Sequence, residues 1–89
     1  MLQMLKTDLG ITTTAYDARL RQYLQSAEKQ IEREGINLTK TCIDDMELIV
    51  MYAAWMWRRR DNMEGMPRML RYALNNRLFA EKLGGDLNG

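Results

Sequence analysis

Apolar residues recur along this chain at helical intervals, and almost nowhere at the alternating interval of a half-buried strand. Leu2, Leu5 and Leu9 share one face of a short segment that Gly10 is suited to stop. So short a helix needs a surface to dock on. Thr12, Thr13 and Thr14 are poor helix formers. Thr14 is placed to cap the next helix, with Asp17 spaced to answer its backbone amide. From about Ala15 to Glu34, the residues Tyr16, Leu20, Tyr23, Leu24, Ala27 and Ile31 step by three and four, giving a single apolar stripe. Gly35 suits the left-handed turn after it, which brings Ile36 toward Ile31.

The third helix has two candidate starts. Asp44 and Glu47 have capping-box spacing, with Ile43 and Leu48 as a hydrophobic staple; Thr41 with Asp44 is the other solution. From Leu48 to Trp57 all ten positions are apolar. The caps and the Ala53–Ala54 pair favour helix over a buried strand. A helix apolar on every side is either the central pillar of a bundle or partly covered by another subunit. A membrane span needs ~20 apolar residues, so this run reads as core.

Asn62, Gly65 and Pro67 break the chain, and Pro67 is suited to the first position of a last helix. Leu70, Ala73, Leu74 and Leu78 form its inner face, flanked by Phe79 and Met66, and Gly84–Gly85 should end it. The predicted fold is all-α: a compact bundle of three long helices and a short N-terminal one around a central apolar helix. Residues 1–83 form a single domain and 84–89 a flexible C-terminal tail.

Composition removes most enzyme chemistry. In 89 residues there is no histidine and one cysteine. Zinc sites of the usual Cys/His kind, Ser-His-Asp and Cys-His centres, and an internal disulfide are all excluded. No phosphate-binding loop, dinucleotide fingerprint or zincin motif is present. Asp44, Asp45 and Glu47 read as first-turn acids that favour a helix N-terminus. Cys42 reads as an inert thiol. No catalytic, metal or cofactor site is expected. The N-terminus lacks the basic start and apolar run of a signal peptide, so the expected setting is a cytoplasm or an assembly made in one.

A net charge of +1 conceals an uneven distribution. Residues 1–35 are balanced, residues 36–57 carry −2 and residues 58–89 carry +3. The excess is arginine, with Arg58, Arg59 and Arg60 consecutive after the apolar run and Arg77 further on. Three roles fit them: offsetting the negative end of the preceding helix, pairing with another subunit or partner, and touching nucleic-acid phosphates.

Met46, Met51, Met56 and Met69 fall within helical patterns as packing residues. Met63 and Met66 lie in a connection, where they are candidates to meet a partner. Trp55 and Trp57 cannot share one narrow helical face, so one needs a second element or a neighbour; Tyr52 and Trp55 can form a continuous face. All five positions (Tyr52, Trp55, Trp57, Met63, Met66) are candidate packing or interface residues. A helix-turn-helix regulator reading DNA through Asn75, Asn76 and Arg77 is the alternative. Long helices, a long connection and near-neutral charge speak against it.

Three stretches together carry a resemblance. Leu9-Gly10-Ile11, Thr14 to Asp17 and Leu24 to Ile36 resemble the opening of small head–tail connector proteins of long-tailed bacteriophages and prophages. Asp44 to Trp55 with Arg58-Arg59-Arg60 looks like their central helix, and Met66 to Leu70 with Leu74 to Arg77 like their closing helix. The similarity covers about residues 5 to 80. It implies a non-enzymatic virion protein, assembled in the host cytoplasm into a homo-oligomeric ring at the head–tail interface. Such a ring docks on the portal protein, meets a tail or head-completion protein and extends the DNA channel. It implies no cofactor and no membrane, and at most transient, non-specific contact with passing double-stranded DNA. Arg58, Arg59, Arg60 and Arg77 lie in the family-like segments and carry a provisional subunit, portal or DNA contact role.

Overall fold

The structure, a computed structural model, describes residues 1–61 and 63–88, the last five by backbone alone. Four helices follow one another: α1 (Leu2–Leu9), α2 (Asp17–Arg33), α3 (Ile43–Arg59) and α4 (Arg68–Asn88). No strand occurs among the described residues. The fold is the expected all-α bundle. α3 packs against each of the other three helices, and α1 also touches α2. The molecule is elongated, 46 × 27 × 17 Å.

Gly10 closes α1 with φ 72°, its N–H on the carbonyl of Thr7 while Ile11 N–H reaches that of Lys6. This paired closure requires the left-handed conformation that glycine adopts without steric cost. α1 is held at one side by Leu5, which is fully buried, and at another by the ion pair of Lys6 Nζ with Asp17 Oδ1 at 2.9 Å. That pair replaces the expected capping box. The Thr14 hydroxyl makes no cap; α2 begins after Tyr16, and the Thr13 hydroxyl accepts from Ala15 N–H instead.

The α2 stripe buries Leu20, Leu24, Ala27 and Ile31, as its spacing predicts. Tyr16, at the helix entrance, stays 48% exposed. Gly35 turns with φ 99°, and Ile36 enters the core.

α3 is the central pillar. Leu48, Ile49, Val50, Tyr52, Ala53, Ala54 and Trp57 are buried, Trp55 and Met56 are half-buried, and Met51 is exposed. Its start departs from both predicted caps: Cys42 occupies the cap position without a side-chain bond. Ile43 is 56% exposed, so the hydrophobic staple does not form. Asp45, two positions on and so on nearly the opposite side of the helix, is the residue that turns inward, paired with Arg77.

Pro67 stands just ahead of α4, its carbonyl accepting from Arg71 N–H. Leu70 and Leu74 are buried, with Ala73 and Leu78 packed beside them. α4 runs on through Gly84 and Gly85, where the sequence suggested a stop. Of the expected flexible tail, 84–89, the side chains and Gly89 lie outside the described residues.

Candidate functional site

The C-terminal end of α3 concentrates arginine on aromatic rings. Trp57 faces α2, in edge contact with Tyr16 at 5.5 Å and Tyr23 at 5.7 Å. Trp55 faces the connection to α4: its indole Nε1 donates to the carbonyls of Glu64 and Gly65, each at 3.2 Å. Tyr52 meets Trp55 edge-on at 5.4 Å. The second element that one tryptophan needed is therefore the 63–67 connection.

Each ring carries a guanidinium. Arg59 lies 4.5 Å from the Trp55 centroid and Arg60 3.7 Å from that of Trp57. Arg60 also donates through Nη1 to the Trp57 carbonyl at 2.6 Å, in the last turn of the helix, where the same carbonyl accepts the Arg60 backbone N–H. Arg58 leans to Asp8 at 3.6 Å. The three arginines are exposed, yet two are pre-positioned by stacking, a geometry that lysine would not reproduce. Met63 stands beside them, 93% exposed on a left-handed backbone with φ 51°. Met66 is half-buried and packs against the core.

Arg77 is placed quite differently. Its Nε donates to Asp45 Oδ1 at 2.8 Å, its Nη1 to Glu81 at 2.8 Å and its Nη2 to the Asn37 carbonyl at 2.7 Å. Asp45 also accepts from Thr39 N–H at 2.8 Å, and Asn37 donates to Glu81. The network ties the 36–42 loop, α3 and α4 together. The Arg77 hydrogen bond holds the Asp45 carboxyl below the usual carboxylate range although burial opposes it, and Glu81 is lowered by the same guanidinium. Arg77 is correspondingly held more firmly protonated. Asp45, read from the sequence as a first-turn acid, is thus an internal strut. Arg71 forms a second tie, to Glu34.

Asp44 and Glu47 remain at the surface. With Met51 they form one wall of a groove of ≈ 350 Å³ whose other wall is Ala73 and Asn76, with Asp45 and Arg77 between. A further feature went unread in the sequence. Met69, Tyr72, Phe79 and Leu83 are 72%, 56%, 64% and 45% exposed, and with Asn76 they run down the outward face of α4 at steps of three and four. That corrects Met69 and Phe79, assigned to packing. The inner face, Leu70, Ala73, Leu74 and Leu78, is the one the spacing predicts; the second, outward apolar row went unread.

Among the described residues no group of acidic or cysteine side chains could hold a metal ion, and no helix is long and apolar enough to cross a membrane. Cys42 is a free, exposed thiol. A family model described as phage gp6-like head-tail connector protein matches residues 1–78. No curated protein and no solved structure matches the chain.

Proposed function

The chain belongs to the phage gp6-like head–tail connector family, and from that premise we propose that its contacts are made by the arginine–tryptophan end of α3. Members of this family are structural proteins of the virion, not enzymes. They form rings at the head–tail interface, between portal and tail components, and assemble in the host cytoplasm. Residues 1–83 act here as one rigid helical unit, and its surfaces carry the function. The observation that favours Arg58, Arg59 and Arg60 as contact residues is the stacking of Arg59 and Arg60 on Trp55 and Trp57. Cations already fixed on rings lose little rotamer freedom on binding, which is how pre-organised groups strengthen an interface. Met63 adds an apolar contact; Tyr52, Trp57 and Met66 support the end from inside.

Arg77 serves the fold, and this weakens the regulator alternative. A recognition helix needs a free arginine beside Asn75 and Asn76, whereas this guanidinium is engaged on three sides.

Electron microscopy of the chain with its cognate portal tests the reading. A ring stacked coaxially on the portal is expected, and Arg58→Gln/Arg59→Gln/Arg60→Gln should fold normally yet assemble poorly. A chain that never joins portal or tail component would reject the connector role. Full assembly by the triple variant would reject the role given to the arginines.

A further inference from the structure

Two exposed surfaces at opposite ends of α3 complement one another. A helix of this length separates its ends by about 25 Å. At the C-terminal end Met63 projects with Arg59 and Arg60 beside it, Arg60 lying also 3.7 Å from the exposed Asp61 carboxylate, and the three share a shallow depression with Tyr23 and Met56. At the N-terminal end the α3–α4 groove presents the reverse: an apolar slot whose free charges are negative. Asp45 and Arg77 within it neutralise each other. Asp44 and Glu47 enter no salt bridge among the described residues. The slot opens at Asn76 onto Tyr72 and Phe79, its neighbours four before and three after on the α4 surface, both more than half exposed.

We infer that each subunit seats Met63, flanked by Arg59 and Arg60, in the acidic α3–α4 groove of the next copy of this chain. The inference rests on the ring reading and specifies the surfaces that close it. A ring is built from heterologous contacts, so each subunit needs two different patches that fit each other. Here one patch is an apolar knob with cations and the other an apolar slot with anions. Methionine and arginine are the side chains that interfaces favour, and opposed potentials fix register and partner. Docking on the portal would use one patch and leave its match to the other unexplained. Placement toward opposite ends of α3 keeps the two patches on separate surfaces, so that subunits can follow head to tail.

A charge swap tests it. Arg59→Glu/Arg60→Glu makes both patches acidic; Asp44→Lys/Glu47→Lys makes both basic. Each variant alone should assemble at least tenfold less than the unaltered chain, by native mass spectrometry and electron microscopy with and without cognate portal. An equimolar mixture should recover assemblies in which the two variants alternate, closed rings for an even number of subunits and open arcs for an odd one. Arg59→Glu/Arg60→Glu also removes the ring contacts on Trp55 and Trp57, so thermal unfolding of each variant should show a lowered midpoint but folded monomers. Met63→Asp, at a position that supports nothing inside the fold, should reduce assembly to a similar degree. Rings from either charge variant alone, or a mixture that stays unassembled, overturn the inference while unaltered rings keep the ring reading standing. Variants that form rings but lose portal binding overturn it too, in favour of a portal-facing surface. An unaltered chain that forms no ring under any of these conditions removes the ring reading and the inference with it.

Discussion

The Arg77 guanidinium meets the buried Asp45 carboxylate across 32 residues of sequence, Nε to Oδ1 at 2.8 Å. One ion pair thus clamps the start of α3 to the middle of α4. Removing Arg77 leaves a buried carboxylate with the Thr39 N–H as its remaining donor, whereas removing Asp45 leaves Arg77 its bonds to Glu81 and the Asn37 carbonyl. Asp45→Ala should cost about 2–3 kcal/mol, below the usual cost of breaking a fully buried pair because Arg77 keeps some contact with water. Thermal unfolding reads the loss directly. An unchanged midpoint would show that the clamp contributes nothing net.

The same pair sets an acid limb. The Asp45 and Glu81 carboxyls are lowered by the Arg77 hydrogen bonds. A carboxyl lower in the folded than in the unfolded state stabilises fully above the unfolded value, about 4, and loses that contribution as pH falls through the folded one. The Asp45–Arg77 contribution should therefore be flat from pH 8 to 5 and decline below about pH 4. Melting curves of Asp45→Asn should have a shallower acid limb than the unaltered chain. A difference in slope confined to pH 5–8 would contradict this assignment.

Lys6 and Asp17 form an asymmetric pair. The Lys6 side chain is 9% exposed and that of Asp17 21%. Asp17→Ala strands a buried ammonium and should cost about 2–4 kcal/mol, whereas Lys6→Met keeps the stem's packing but leaves the buried Asp17 Oδ1 without its partner and should cost about 1–2 kcal/mol. In the second case the α2 N-terminus still favours the carboxylate. Urea unfolding of the two variants should separate them; equal losses would refute the asymmetry.

Gly35→Ala should cost about 1–2 kcal/mol, the penalty for a Cβ in a left-handed turn. The cost is conformational, since the nearest atom to the added carbon would be Leu78 Cδ1 at 3.6 Å, an ordinary contact. Truncating Leu78 in the same chain should therefore not relieve it, which chemical denaturation of the double variant checks.

The two tryptophans should differ in weight. Trp57→Ala removes a ring packed by Tyr16, Tyr23 and Arg60 and should cost about 3–5 kcal/mol. Trp55→Ala removes a half-buried ring and should cost clearly less. Comparing the two by thermal unfolding would expose a reversed order.

Much of this protein is local and could be read from residue order. Helix periods, the glycine turns at Gly10 and Gly35 and the α2 stripe depend on neighbours within a few positions, so sequence spacing contains them. The ten-residue apolar run announced α3 as the pillar for the same reason. The resemblance to head–tail connectors rested on such segments in order, and the family match covers them.

Other features depend on what lies across the chain. Asp45 does stand in the first turn of α3, as its position implied, but its pairing with Arg77, 32 residues away, shows only once the two helices are brought together. Thr14 and Asp17 had ideal capping spacing, but Lys6 on α1 offered Asp17 an opposite charge. α4 has apolar residues on two faces; spacing picked out Leu70 and Leu74 as the inner one, but only the packing showed that nothing in the fold covers Met69, Tyr72 and Phe79. Periodicity gives a helix its faces. Which face is buried, and which charge meets which, is settled by the position of the other helices.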